Sequence, residues 1–273
     1  MINDDESVVI QAYEVWCSIS DTEVDRVTKY GSNIKHYCET ALDTLLEVIF
    51  NHLVNRSQDE DPDAWNLSKS ASCLLQNLCL CTSEKIINEV FKFISNYLQD
   101  SNPKSRDSAL LAFGSILASQ SDCLKIIIND ALNSIFSMLK DTNTEVKITA
   151  AWCIKKICEH HSASIVENAT LLDTYMRVVY ENLNNSSKVI IFLINSIYYI
   201  TFHLHKINSS IMNNYLPGFM SELLKIAFMK NAYDIDNNVA QCAIHAISCL
   251  AESAPVESYK FLNEFFPNVV EAF

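Results

Sequence analysis

The chain has 273 residues, is 49% apolar and carries a formal charge of −13 from 33 acidic and 20 basic side chains. This balance excludes nonspecific nucleic-acid binding, which needs concentrated Lys and Arg to neutralise phosphate, and it favours a basic partner. Only three glycines, Gly31, Gly114 and Gly218, and five prolines punctuate it, too few for the tight turns of a β-sandwich or a wound α/β sheet, so the chain is expected to be all-α.

Apolar periodicity predicts a helix over 6–29, then pairs over 36–55 and 65–81, 84–99 and 102–119, 124–140 and 142–160, 168–183 and 186–205, 208–230 and 236–253, and a last helix over 256–273. A repeat frame supports the pairing. From Asp141, Val146 follows five residues on, Lys147 six on and Ala150 nine on; Asp100, Ser105, Arg106 and Ala109 match this, and Asp63, Asn184 and Asp234 open looser copies. These origins are 37, 41, 43 and 50 residues apart, the period of stacked helix pairs. The architecture expected is a right-handed α-solenoid of repeats over 1–30 (second helix only), 36–81, 84–119, 124–160, 168–205, 208–253 and 256–273 (first helix only). An unpartnered helix at either end reads as a segment of a longer array. The Asp before each second helix is expected to accept its free amides and complement the helix dipole.

Of the ten cysteines, Cys73, Cys79, Cys153, Cys158, Cys242 and Cys249 fall within apolar stripes, and they read as reduced core residues of a cytosolic or nuclear protein. Nothing near Met1 resembles a signal peptide. The most apolar run, 189–200, is short for a membrane span and contains Asn195 and Ser196, so no membrane insertion is expected.

Two features suggest a grip for basic peptide. The first is Asp59-Glu60-Asp61-Pro62-Asp63-Ala64-Trp65, four carboxylates in five residues followed by an indole, between two helical patterns. Acids supply long-range attraction and the ring stacks on Lys or Arg. The second is Trp152. In the helix over 142–160, Val146, Ala150, Cys153, Ile154 and Ile157 form the core stripe, and Trp152 lies about 150° from its centre at ~100° per residue. A tryptophan is usually buried, but this phase sets Trp152 on the polar face, with Glu145 and Glu159 one heptad to either side and Lys155 and Lys156 flanking. Superposing Val8 and Ala12 on Val146 and Ala150 puts Trp16 at the edge of the core stripe, a structural position, with Glu14 and Asp21 on the acidic face. In the helix over 186–205 the equivalent of Trp152 is Asn195, with Tyr198, Tyr199 and Phe202 nearby.

No phosphate loop, nucleophile elbow, H-E-x-x-H or C-x-x-C occurs, so no catalytic, cofactor or metal site is expected. His160-His161 read as helix-closing residues, and Cys79 and Cys81, like His203 and His205, are two residues apart and share no helical face.

Several stretches resemble the middle of the importin-β (karyopherin-β) family of HEAT-repeat, armadillo-like receptors. The segment from Ser7 to Ser18, with Glu14-Val15-Trp16-Cys17-Ser18, is similar to a family helix ending in Glu-Phe-Trp-Ser. Asp63-Ala64-Trp65-Asn66 follows an acidic run as in the family's acidic loop. Arg106-Asp107-Ser108-Ala109-Leu110-Leu111-Ala112-Phe113-Gly114-Ser115-Ile116 is similar to its Arg-(Asp/Glu)-Ala-Ala-Val-Met-Ala-Phe-Gly-(Ser/Cys)-Ile, and Thr149-Ala150-Ala151-Trp152-Cys153-Ile154 to its Thr-(Ala/Thr)-Ala-Trp-(Cys/Thr)-(Ile/Val). The likeness is strong over 7–160 and weaker over 161–273. It implies a receptor segment that binds the basic importin-β-binding segment of importin-α, or basic cargo, is released by Ran-GTP, meets FG nucleoporins and shuttles between cytoplasm and nucleus. Asp59, Glu60, Asp61, Asp63 and Trp65 then fall on the acidic loop, Trp152 on the second Trp of the cargo-binding surface and Glu159 on its acidic position; Asn195 stands where the family has a third Trp. A HEAT-repeat scaffold holding other protein partners is the alternative reading.

Overall fold

The computed structural model describes residues 5–31, 35–55, 65–82, 84–119, 121–207, 209–228 and 237–272. Among them are twelve α-helices and no strand: α1 (Glu6–Tyr30), α2 (Tyr37–Val54), α3 (Leu67–Cys81), α4 (Lys85–Tyr97), α5 (Pro103–Ile116), α6 (Asp122–Met138), α7 (Thr144–Val166), α8 (Ala169–Glu181), α9 (Ser187–Lys206), α10 (Leu216–Phe228), α11 (Asn237–Glu252) and α12 (Tyr259–Ala272). The chain forms two compact units, residues 1–127 and 128–273.

Within the first unit α1, α3 and α5 pack side by side, while α2 and α4 each pack on a helix of that row. The apolar face of α3 shows why: Ala71, Leu74, Leu75 and Leu78 are fully buried at helical spacing. Burying each such leucine contributes about 1.5–3 kcal/mol. Polar side chains link neighbouring helices where they approach closely. Tyr13 Oη meets His52 Nδ1 at 2.7 Å, Ser72 Oγ meets Ser115 Oγ at 2.7 Å, and Ser20 Oγ donates to the Asn77 carbonyl at 2.8 Å. Gly31 ends α1 at φ 72°, in the region that favours glycine.

The second unit repeats the layering, with α7 against α9 and α9 against α11, and with α8 on α7 and α10 on α11. Here Tyr175 Oη meets Ser196 Oγ at 2.7 Å, both fully buried, and Ser196 Oγ donates to the Leu193 carbonyl at 2.7 Å.

Four local expectations are corrected. Asparagine, not aspartate, caps α5 and α7: Asn143 Oδ1 accepts from the amides of Glu145 and Val146 at 2.9 and 3.2 Å, and Asn102 Oδ1 from that of Lys104 at 3.0 Å. Asp141 and Asp100 act one step earlier, each accepting the amide of that asparagine at 2.8 Å, so the Asp-x-Asn pair folds the turn and the Asn closes the helix. His160 and His161 do not end α7. His161 is buried at φ −134°, ψ 32°, where the helix kinks and then continues to Val166. Cys73 is exposed, unlike the buried Cys79, Cys153 and Cys158, because it lies off the face of α3 that carries Ala71 and Leu74. Finally, α9 has 20 residues and a mean hydropathy of 1.4, long and apolar enough by length and composition to cross a membrane. The comparison with membrane length took only the apolar run 189–200, whereas the whole helix, predicted over 186–205, runs from Ser187 to Lys206. In the fold it packs against both α7 and α11 and buries Val189, Leu193, Ile197, Ile200 and Leu204.

Candidate protein-binding faces

In the first unit the acidic residues Asp59, Glu60, Asp61 and Asp63 lie outside the described residues. Trp65 is described and is 58% exposed. It precedes α3 rather than opening it: Asn66 is the cap, its Oδ1 accepting the Lys69 amide at 3.0 Å, and the Glu6 carboxylate accepts the Leu67 amide at 3.2 Å. The cap fixes the chain one residue after the indole and leaves the ring in solvent. On α1, Glu14 and Asp21 are exposed, and Asn77 Nδ2 donates to Asp21 Oδ1 at 3.3 Å. Trp16 is half-buried and lines a groove with Val15, Ile19, Arg26 and Tyr37.

In the second unit the candidate face is built by α7, α9 and α11. Trp152 is half-buried, Glu145 is exposed in the first turn of α7, and Asn195 is half-buried on α9. Glu159 is the most connected of the expected residues. Its Oε2 lies 2.6 Å from Lys155 Nζ, 3.9 Å from Lys156 Nζ and 3.8 Å from His160 Nε2, and its Oε1 accepts the Tyr199 hydroxyl of α9 at 3.2 Å. The Lys155 ammonium also sits 5.5 Å from the centre of the Tyr199 ring. Burial alone would raise the Glu159 pKa. The Lys155 hydrogen bond and the charges of Lys155, Lys156 and His160 outweigh it and hold the carboxyl below the ordinary glutamate value. Burial lowers the pKa of His160, against the raising effect of Glu159.

From Tyr199 an aromatic row continues outward. Tyr198 meets Tyr199 edge-on at 5.3 Å, lies near-parallel to Phe202 at 6.2 Å, and approaches the His245 ring of α11 at 6.1 Å. Phe202 is 56% exposed, and Ile244 of α11 is exposed as well. The arrangement can do two things chemically: exchange a lysine of its own for a partner's cation at Glu159, and offer ring faces and apolar surface beside that exchange.

Sequence reasoning named the residues of this face one helix at a time, and missed their contacts. Glu159 meets Tyr199 forty residues on and Tyr198 meets His245 forty-seven on, so the repeat spacing itself was the signal that could have joined them. Lys155 was seen as a flanking residue, not as the partner of Glu159, although their spacing is that of helical ion pairs.

The sequence profile described as GCN1-like, C-terminal HEAT repeats matches residues 67–214, just over half of the chain. The Arabidopsis thaliana importin subunit beta-1 is 27% identical over 273 aligned residues, which cover 90% of this chain and 31% of that relative, so the chain spans about a third of its length. Two solved structures of Kap95, the yeast importin-β, share the fold. Kap95p determined with RanGDP superposes with a TM-score of 0.85 at 24% identity, over 97% of this chain and 32% of that one. The Kap95:Nup1 complex gives 0.84 at 24%, over 95% of this chain and 30% of the other. The chain belongs to the HEAT-repeat proteins, and the relatives it is similar to are importin-β proteins.

Proposed function

We propose that this chain is the central part of a nuclear import receptor and that it binds a basic, helical protein segment: the importin-β-binding segment of importin-α, or a basic cargo signal. The observation that carries this reading is the face of α7 and α9, where Glu159 is held by lysines of the chain itself beside Tyr199, Tyr198 and Phe202. A carboxylate already solvated by ammonium groups and rings accepts an incoming lysine or arginine by exchange, without first being stripped of water. The net charge of −13 adds long-range attraction for such a partner. In this reading Trp65 and Trp152 are aromatic anchors, Asp59, Glu60, Asp61, Asp63 and Glu145 contribute negative field, and Asn195 leaves a polar gap.

Ran-GTP releases the bound segment, FG nucleoporins carry the receptor through the pore, and the protein moves between cytoplasm and nucleus. Kap95 structures with RanGDP and with Nup1 support these partners by analogy. The reading is one of binding rather than catalysis.

A labelled peptide of the importin-α basic segment, titrated against this chain and Trp152→Ala at low and at raised salt, tests it. The expected result is salt-sensitive binding that Trp152→Ala weakens by about 2 kcal/mol or more, the loss typical of a central aromatic anchor. Equal affinities would remove Trp152 from the site, and salt-independent binding would remove the electrostatic reading altogether.

A further inference from the structure

Three donor atoms from three helices of the first unit meet behind the α1 groove: the carboxylate of Glu23 on α1, the thiol of Cys38 in the first turn of α2, and the thiol of Cys81 at the end of α3 all lie within 4.8 Å of one another. We propose that Glu23, Cys38 and Cys81 form a binding site for a borderline-soft divalent cation of the zinc type, with water completing a four-coordinate shell.

The donor set itself selects the metal. Two thiolates and one carboxylate suit zinc, whereas calcium and magnesium require oxygen-rich shells. Burial points the same way. Glu23 is 5% exposed and Cys38 fully buried. A dication bound there would be shielded from water, and its charge would meet that of the buried carboxylate directly.

The surroundings already orient the ligands. Glu23 Oε1 accepts the Tyr37 amide at 2.6 Å and Oε2 lies 3.4 Å from the Cys38 amide, while the carboxylate also hydrogen-bonds the Cys38 thiol, whose proton a metal would replace. Ser20 Oγ lies 3.1 Å from Cys81 Sγ and donates to the Asn77 carbonyl, fixing the end of α3 against α1. Such outer contacts aim a ligand at its metal. Uptake of the dication would displace the two thiol protons and tie α1, α2 and α3 at one point.

Sequence motifs could not disclose the site, since its ligands are 15 and 43 residues apart, far from any C-x-x-C spacing.

The test uses the chain reduced and stripped of metal, titrated with cobalt(II) as the spectroscopic substitute for zinc. The expected result is one equivalent bound with a thiolate-to-cobalt charge-transfer band, displaced by zinc, and a thermal midpoint raised by either metal. Cys81→Ser and Cys38→Ser should each abolish the band. Cys73→Ser, an exposed thiol on α3, should keep it, and Glu23→Gln, which retains an amide-accepting oxygen, should weaken cobalt affinity at least about tenfold. Circular dichroism confirms that each variant is folded; should Cys38→Ser fail to fold, Cys81→Ser, at a half-exposed helix end, decides alone. A chain that shows no thiolate band, one that keeps it in Cys81→Ser, or one that isolates with Cys38 and Cys81 joined and takes up no cobalt after reduction overturns the proposal.

Discussion

Replacing Lys155 with methionine keeps the aliphatic stem and removes the ammonium 2.6 Å from Glu159 Oε2. The pair is partly screened, with side chains 20% and 26% exposed, and Glu159 keeps Lys156 at 3.9 Å and the Tyr199 hydroxyl at 3.2 Å. A fully exposed pair contributes about 0.2–1 kcal/mol, and breaking a fully buried one costs about 3–5 kcal/mol. The exposure here and the remaining partners place Lys155→Met near the lower range, at about 1 kcal/mol of lost stability. The same change should favour a basic partner. With one internal competitor gone, Glu159 offers a carboxylate to an incoming lysine, and affinity for a basic helical peptide should rise about two- to fivefold at low ionic strength, the gain fading as salt screens the site. Fluorescence anisotropy at low and high salt reads the affinity, and urea unfolding reads the stability. The pH dependence supplies an independent check. Glu159 titrates below its ordinary value of 4.5 in the folded protein, so its ion-pair contribution is fully present above that value and is lost as pH falls through the lowered folded pKa. The stability gap between the wild type and Lys155→Met should therefore hold steady from neutral pH down to about 5 and close below it. Unchanged or weaker peptide binding by a natively folded Lys155→Met protein would refute the exchange model.

Three further outcomes concern the scaffold. Asn143→Ala removes the acceptor of two amides at the start of α7 and should cost about 1 kcal/mol in urea unfolding, while Asn143→Asp, an equally good cap, should stay within a few tenths. Leu193→Ala, at a fully buried position of α9, should cost about 2–5 kcal/mol, a loss measurable as a lower denaturation midpoint. Tyr175→Phe should cost about 1 kcal/mol by the same measurement: Ser196 loses the tyrosine hydroxyl but still donates to the Leu193 carbonyl, and the buried Cys158 thiol loses the same hydroxyl but keeps Ser196.

Helix positions were legible because each helix writes its own apolar period. Val146, Ala150, Cys153 and Ile157 recur on one face of α7 wherever that helix sits, and all four are buried. The end of α7 was not legible in the same way. A His-His pair is a common closing signal, yet His161 is buried at the kink and the chain resumes helical geometry after it, a tertiary effect that overrides the local preference. Capping failed for a subtler reason. Asp141 and Asn143 are both good caps, and only the turn geometry shows that the aspartate binds the asparagine's amide while the asparagine binds the helix. The candidate faces divide along the same line. The exposure of Trp65 follows from its place after a carboxylate-rich stretch of sequence, whereas the pairing of Glu159 with Lys155 shows only in the structure.

That last point changes what an acidic face does in this protein. A cluster of unpaired carboxylates would attract any cation, salt included, and would spend stability on self-repulsion. At Glu159 the carboxylate is paired with Lys155, and Lys155 in turn lies over Tyr199, whose hydroxyl returns to Glu159. Glu159 and Tyr199 each already hold an ammonium of the kind that a basic helix supplies, so binding replaces interactions and does not create them from water. Exchange of this sort gives little net energy per contact and leaves discrimination to geometry: a lysine must reach Glu159 while the apolar part of its helix covers Tyr198 and Phe202. A site built in this way would bind through many modest exchanges and release when a competitor takes a few of them, which is the behaviour that the proposed import role requires of this face.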